Sequence, residues 1–391
     1  MKIDTRLAER LKKINPSSTL AITSKAKKLK SEGRDIVTFA AGEPDFDTPD
    51  FIKEAAVEAL KSGYTKYTPT TGSLELKKLV SQKFKKDNSL EYAPDQIIVS
   101  NGAKHSIYNA LMVLLNKADE VLIPLPYWVS YPEMARLCEA APRFIKTNAA
   151  NNFKITVTEL KKHITPKSKV LIMNSPSNPA GAVYNRSELE EISRVCVDKH
   201  IFVISDEIYE KIIFDGAKHE SIAGFNKDIY NLTITVNGLS KSHSMTGWRI
   251  GYLGAPSDVA NAISNLQDHS TSNANSIAQK AAVAALAAPE DFTLKLCREF
   301  QKRRDYLAER LKGIKKLSFT LPQGAFYMFC GISKTGLGSM DFARRLLDEE
   351  YVSVIPGASF GMDDYVRISF ATSMDELKKG MDRIEKWVEK I

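Results

Sequence analysis

No stretch of this 391-residue chain approaches the roughly 18 consecutive apolar residues that a membrane span needs. Its opening, MKIDTRLAERLKKI, is charged throughout and lacks the apolar segment of a secretory signal, so a cytoplasmic protein is expected. Cysteine is scarce. Cys138, Cys196, Cys297 and Cys330 stand apart, with no CxxC pair and no neighbouring histidine pair. That spacing excludes a disulfide scaffold, argues against structural zinc and leaves the four as small core hydrophobes. No other metal-ligand cluster is visible, so no metal is expected. Acidic residues are the minority charge, 47 against 55 Lys+Arg, for a net +8. The excess lysines lie along amphipathic patterns such as KKLK (27–30) and FKKD (84–87), without interleaved aromatics, so neither nucleic acid nor membrane is an expected partner. Repeats, low-complexity segments and linkers are also missing. What is present is an ordinary globular composition, 43% hydrophobic and 26% charged.

Helical and strand patterns alternate through the middle of the chain, which predicts an α/β protein with a mostly parallel sheet. Phe51, Ile52, Ala55, Ala56, Ala59 and Leu60 form a helical face; Thr48-Pro49 starts that helix and Gly63 ends it. IIV (97–99) reads as a strand, followed by a helix over 103–115. VLI (121–123), VLIM (170–173), IFVIS (201–205) and LTITV (232–236) are short continuous apolar runs, as expected of strands buried on both faces. Ser187 and Glu190 read as a capping box for a helix to His200. One long helix is expected from Pro289 to Gly313. Beyond it the pattern changes to a smaller α+β unit: strand-like FYMF (326–329), a helix over 339–349, alternating YVRISF (365–370), and a last helix capped by Ser373 and Glu376.

In an open parallel sheet, ligands bind beyond the carboxyl ends of the strands. VLIM is followed by NSPSNPAG (174–181), IFVIS by DEIY (206–209), LTITV by NGLSK (237–241), and IIV by SNGAK (100–104) at the start of a helix. Each alone has an ordinary structural reading as a cap, a turn or a solvated charge. Together they bring a lysine, an aspartate, an asparagine and a helix N-terminus to one edge. That set suits pyridoxal phosphate. Its aldehyde needs an amine of lowered pKa, and its pyridine nitrogen needs a carboxylate that keeps the ring an electron sink. Its phosphate needs a helix N-terminus and a guanidinium. Lys241, Asp206, the 100–104 turn and Arg249 supply these in turn.

GLSKSHSMTGWRIG (238–251) resembles the lysine signature of class I aminotransferases of fold type I. AGEPDFDTP (41–49), YTKYTP (64–69), PYWVSYP (126–132), NSPSNPAG, SDEIYE (205–210) and VRISFA (366–371) fit the same family in the same order, over nearly the whole chain. More narrowly the chain is similar to the bacterial-type subgroup of aspartate aminotransferases, subgroup Ib. The resemblance implies a large pyridoxal-phosphate domain over residues 48–295 and a small domain made of 1–47 and 296–391. Lys241 would form the Schiff base and then carry the proton, and Asp206 would pair with the pyridine nitrogen. Tyr209 and Asn178 would hydrogen-bond the cofactor's phenolic oxygen, and Trp128 would stack on its ring. Gly102, Ala103, Lys104, Ser240 and Arg249 would hold the phosphate, with Tyr67 reaching over from the partner subunit of a homodimer.

Arg367 would bind the substrate α-carboxylate, with the Gly42 backbone nearby. The alternation in YVRISF agrees, because it sets Arg367 opposite Val366 and Ile368; an internal salt bridge is the other reading. Lys104, Ser17 and Thr19 match the subgroup's contacts to a distal carboxylate, and a lysine at a helix start is locally unfavourable without an anion. Aspartate, glutamate and their 2-oxo acids are therefore the expected substrates. The alternatives are prephenate, aromatic amino acids, alanine or kynurenine on the same scaffold, then a lyase. A non-enzymatic regulator is disfavoured because Lys241, Asp206 and Arg249 are all kept. The chain departs from the family pattern at Ala180, at His243 and at Asn101-Gly102-Ala103, none of which removes a reacting group.

Overall fold

The computed structural model describes residues 6–15 and 18–391, with the backbone alone for 18–21. The apolar runs form a seven-stranded sheet from β1 (Ile97–Ser100), β2 (Glu120–Pro124), β3 (Ala141–Ile145), β4 (Ser168–Asn174), β5 (Phe202–Asp206), β6 (Thr233–Gly238) and β7 (Gly251–Gly254). Their order is β1-β7-β6-β5-β4-β2-β3. β3, β2, β4, β5 and β6 are parallel; β7 runs antiparallel to both β1 and β6.

Successive side chains of a strand point to opposite faces. Ile172 and Ile204 enter one core layer, with Ile107, Leu111 and Ile263, while Leu171 and Val203 enter another, with Leu189, Ile192 and Cys196. Helices cover both faces, so both sets of side chains are mainly apolar, and the runs read as continuous rather than alternating. Each fully buried Ile or Leu contributes about 1.5–3 kcal/mol of hydrophobic burial. Cys138 and Cys196 are buried in these layers; Cys330 is buried and Cys297 half-buried in the core around a second sheet, and all four are free.

A second sheet of β8 (Ser318–Phe319), β9 (Tyr327–Gly331), β10 (Ile355–Pro356) and β11 (Tyr365–Ser369) is antiparallel, in the order β10-β11-β9-β8. Phe329 pairs with Arg367 and Tyr327 with Ser369, so these four share one face. Met328, Cys330, Val366 and Ile368 face the other way, into a core shared with the Asp291–Gly313 and Met374–Lys390 helices. Gly380 sits inside the last helix because any Cβ there would collide with the Phe39 ring. The close approach offsets the usual cost of a helical glycine, about 1 kcal/mol.

Helix starts follow their caps. Ser73 accepts from Leu76 N, and Ser373 accepts from Glu376 N, as expected for the last helix. The capping box of the Arg186–Asp198 helix is Asn185 with Glu188 rather than the expected Ser187 with Glu190. Asn185 stands first and takes the cap, while Ser187 donates to its side chain and Glu190 pairs with Arg186.

Candidate active site

The carboxyl ends of β4 and β5 lie level, with Asn174 beside Asp206, and β6 runs two residues beyond Val236, the neighbour of Asp206. The segments that follow these strands therefore open into one cavity of about 690 Å³. Lys241, Asp206, Tyr209, Asn178, Ser240, Ala103, Lys104, Trp128, Arg249, Gly42 and Arg367 all line it.

Lys241 Nζ donates to Gly42 O at 2.5 Å. Its pKa falls to about 8, first through burial and then through the Arg367 and Arg249 charges, against the opposing pull of Glu43 and Asp206. Burial pushes the Asp206 carboxyl up to about 6, although Tyr131 Oη donates to Oδ2 at 2.6 Å and Ile208 N donates to Oδ1 at 3.3 Å. A buried carboxylate in this state favours a cationic N–H partner. The Ala103–Leu114 helix begins at Gly102, whose φ is 88°. A Cβ on Gly102 would strike the Arg249 guanidinium, so the bare backbone lets a cation close over the helix N-terminus. Gly251 serves the same end, since a Cβ there would collide with Ala103 N. Gly102 N already donates to Ser100 O at 2.7 Å, so the dipole, the amides of Ala103 and Lys104 and the guanidinium make the cradle for a phosphate. Lysine, carboxylate and cradle together fit pyridoxal phosphate.

Arg367 is buried, yet no carboxylate pairs with it among the described residues. Nη1 donates to Asn178 Oδ1 at 3.1 Å, Nη2 donates to Ala40 O at 3.0 Å, and Nε has no partner. Burial lowers its pKa, and Tyr327 and Tyr209 oppose that shift. The internal salt bridge weighed from the sequence is not formed, and the orphaned donor suits an incoming carboxylate. Lys104 Nζ sits 4.9 Å from the centre of the Trp128 ring, with its pKa lowered by desolvation and by Arg249.

Two expected site residues, Tyr67 and Gly102, are not among those that line this cavity; Gly102 adjoins it through Ala103. Tyr67 is 91% exposed. Ser17 and the side chain of Thr19 lie outside the described residues. His243 does not line the cavity either; its Nδ1 meets Ser242 Oγ at 2.8 Å, and burial depresses its pKa to about 4.

Sequence reasoning missed two tyrosines. Tyr131 follows Trp128 by three residues at the start of the Ser130–Leu137 helix, a spacing that returns both side chains to one side. Tyr327 occupies the first position of β9, on the face that carries Arg367. Pairing FYMF with YVRISF in register would have found it.

Behind Asp206 lies a buried polar network. Glu207 Oε2 accepts from Asn88 Nδ2 at 3.0 Å and Ser221 Oγ at 2.7 Å, and sits 2.8 Å from His219 Nε2. Asn88 Nδ2 also donates to Glu210, which pairs with Lys83. Among the described residues Glu207, Glu210 and His219 are the cluster whose spacing could suit a metal ion. The Asn88 amide already bridges both carboxylates and Lys83 pairs with Glu210, while His219 Nδ1 is buried without a partner. Burial alone would raise the Glu210 pKa, but Lys83 and His219 hold it at about 2. Lys83→Met is expected to cost about 3–5 kcal/mol at neutral pH, because it leaves a buried carboxylate unpaired. A folded pKa below the unfolded one gives stability above pH 4.5 that is lost as pH falls towards 2. The gap between variant and wild type should therefore narrow in that window, as read by urea unfolding at stepped pH.

Comparison with known proteins agrees with this geometry. The sequence profile of the class I and II aminotransferases matches residues 34–384. An aspartate aminotransferase of Bacillus sp. (strain YM-2) is 47% identical over 387 residues, covering 98% of this chain and 99% of its own. A Rickettsia conorii protein described as "probable aspartate/prephenate aminotransferase" is 47% identical over 396 residues, covering 98% and 99%. The crystal structure of the Rhizobium meliloti aspartate aminotransferase superposes with a TM-score of 0.95 at 39% identity, covering 99% of each chain. With a lysine, a buried aspartate and a glycine-opened helix N-terminus at one sheet edge, and with this likeness over almost its full length, the chain belongs to the class I and II aminotransferases.

Proposed function

We propose that this chain is a pyridoxal-phosphate-dependent aspartate aminotransferase. It would exchange an amino group between aspartate or glutamate and the 2-oxo acids oxaloacetate and 2-oxoglutarate, in two half-reactions on one site. The observation that carries the reading is the buried Arg367, with an unpartnered Nε, in the same cavity as Lys241 and Asp206.

Asp206, held by Tyr131, would pair with the ring nitrogen. The Ala103 and Lys104 amides beyond the Gly102 turn, Ser240 and Arg249 would hold the phosphate, Trp128 would cover the ring face, and Tyr209 with Asn178 would donate to the phenolic oxygen. When bound, pyridoxal phosphate supplies a ring that accepts the electron pair left as a bond at the substrate α-carbon breaks. Lys241 Nζ, with a pKa near 8, can take the α-proton and give it back at neutral pH. Arg367 grips the α-carboxylate beside the Gly42 backbone and so fixes which bond faces Lys241.

Acidic substrates are favoured by charge. Lys27, Lys30, Lys104, Lys241, Arg249 and Arg367 line the cavity against only Glu43 and Asp206 among its acidic residues. Such a field draws in dicarboxylates. Lys104 has no carboxylate partner among the described residues and is assigned to the distal carboxylate, with Ser17 and Thr19 as further polar contacts. Lys104→Ala is expected to raise KM about ten- to a hundredfold for aspartate and glutamate, the worth of a charge-assisted hydrogen bond, and to leave alanine nearly unaffected. Prephenate is a second candidate acceptor, because it too has a second carboxylate and the R. conorii relative carries it in its name.

The assembly is proposed to be a cytoplasmic homodimer in which Tyr67 completes the partner's phosphate site. Its support is that Tyr67 is 91% exposed and does not line the cavity that holds Lys241 and Asp206. No helix of the described residues is long and apolar enough to cross a membrane. The domain division at 48–295 against 1–47 with 296–391 is supported by the two sheets, which fall within residues 97–254 and 318–369. Absorption of the bound cofactor tests the function. Aspartate and glutamate should change the band quickly, and oxaloacetate or 2-oxoglutarate should restore it. A weak change with aspartate beside a strong one with phenylalanine or alanine would contradict acidic specificity.

A further inference from the structure

Tyr209 and Tyr327 are both buried, and their hydroxyl oxygens stand 2.9 Å apart. Neither hydroxyl has a second hydrogen-bond partner among the described residues. Two hydroxyls carry two hydrogens, and the bond between them uses one. The other must point outward, and both tyrosines line the cavity. The Arg367 guanidinium carbon lies 4.3 Å from the Tyr327 ring centre, with the Phe360 ring on a further side at 5.3 Å. Tyr327 thus touches the carboxylate anchor through its ring face and touches Tyr209 through its oxygen. Among the described residues Asn178 also meets Arg367, but it makes no hydrogen bond to Tyr209.

We propose that Tyr327 is a positioning residue that couples occupancy of the Arg367 carboxylate site to the strength with which Tyr209 donates into the cofactor pocket. The inference rests on the aminotransferase reading and deepens it. If Tyr327 donates to Tyr209, the spare hydrogen belongs to Tyr209 and faces the cofactor's phenolic oxygen. Hydrogen bonds in a chain polarise one another, so the first donor strengthens the second. A cation over an aromatic ring makes its hydroxyl a better donor. A carboxylate arriving at Arg367 cancels part of that charge. Tyr327 then donates less, Tyr209 donates less, and the phenolic oxygen holds its negative charge less easily. Substrate binding is thereby felt at the cofactor before any bond changes.

The test is a spectroscopic pH titration of the holoenzyme, with and without maleate, a dicarboxylate that has no amino group to transfer. Tyr327→Phe removes one oxygen and keeps the ring contacts with Arg367, Phe326 and Tyr209. Wild type should show an absorption transition that moves to higher pH with maleate. In Tyr327→Phe without maleate the transition should lie about half to one pH unit higher, the worth of one hydrogen bond. Its shift on adding maleate should be smaller, with the remainder carried by Asn178. In a Tyr209→Phe background, Tyr327→Phe should add nothing further, because it acts through Tyr209. The thermal midpoint of the cofactor-free variant checks that folding is intact. A Tyr327→Phe titration equal to wild type in both conditions overturns the coupling and leaves the function standing. So does a full additional shift in the Tyr209→Phe background. A wild-type protein that takes up no pyridoxal phosphate overturns the reading of the site and the coupling with it.

Discussion

Lys241→Ala should lower turnover with aspartate by at least about 10⁴-fold. A positioned acid–base group alone accounts for up to about that factor, and Lys241 is also the nucleophile of the site. Lys241→Arg should be no better. It keeps the positive charge but a guanidinium does not deprotonate in the accessible range. The pair therefore separates a proton-carrying role from a merely electrostatic one. Burial and the two nearby arginines bring the ammonium down to about 8, where a fraction is neutral at physiological pH. An exposed lysine would have almost none. Steady-state assays with aspartate and 2-oxoglutarate measure the effect, and activity within tenfold of wild type in either variant would contradict it.

Arg367→Met should cost about 30- to several-thousandfold in kcat/KM for every amino-acid substrate, acidic or not. That is the loss of about 2–5 kcal/mol expected when one partner of a buried charge pair is truncated. It differs from the Lys104 effect, which is confined to substrates with a distal carboxylate. Arg367→Lys should recover little, since a lysine offers no planar fork. The same substitution should behave oppositely towards stability. In the ligand-free protein Arg367 is a buried cation with an orphaned Nε and no carboxylate partner among the described residues. Removing it relieves a desolvation cost, so the unfolding midpoint of Arg367→Met without ligand should equal or exceed that of wild type. Thermal unfolding, with and without maleate, reads both halves. Maleate should stabilise wild type and leave the variant unmoved.

The elements legible in the sequence were those whose environment is uniform along the chain. β4, β5 and β6 are buried on both faces, so their apolar runs stand out, and whatever polar residue comes next marks the open edge of the sheet. That is how Asn178, Asp206 and Lys241 were found. β3 was not, because Pro142 and Arg143 interrupt it at the sheet margin, where one side is free of pairing. β7 was not, because it begins and ends in glycine and runs against its neighbours. Its glycines answer to tertiary demands that no local pattern carries: Gly251 makes room for the Ala103 amide, and Gly254 for the Tyr92 ring.

The site shows the same division. Residues set by strand ends were legible. Tyr131 and Tyr327 were not, since their roles depend on which face of a helix or strand meets Asp206 or Arg367. The helix cap falls at Asn185, two residues before the expected Ser187, because both offer the same chemistry within half a turn. Tyr67 is a different matter, as its proposed partner belongs to a second copy of the chain.

The most direct measurement is reductive trapping. The holoenzyme is treated with borohydride, digested, and mapped by mass spectrometry. If Lys241 holds pyridoxal phosphate, the reduced cofactor is found on the peptide containing Lys241 and is lost from the Lys241→Ala protein. Label on another lysine, such as Lys104, or no covalent label in a protein that binds the cofactor, would contradict the account.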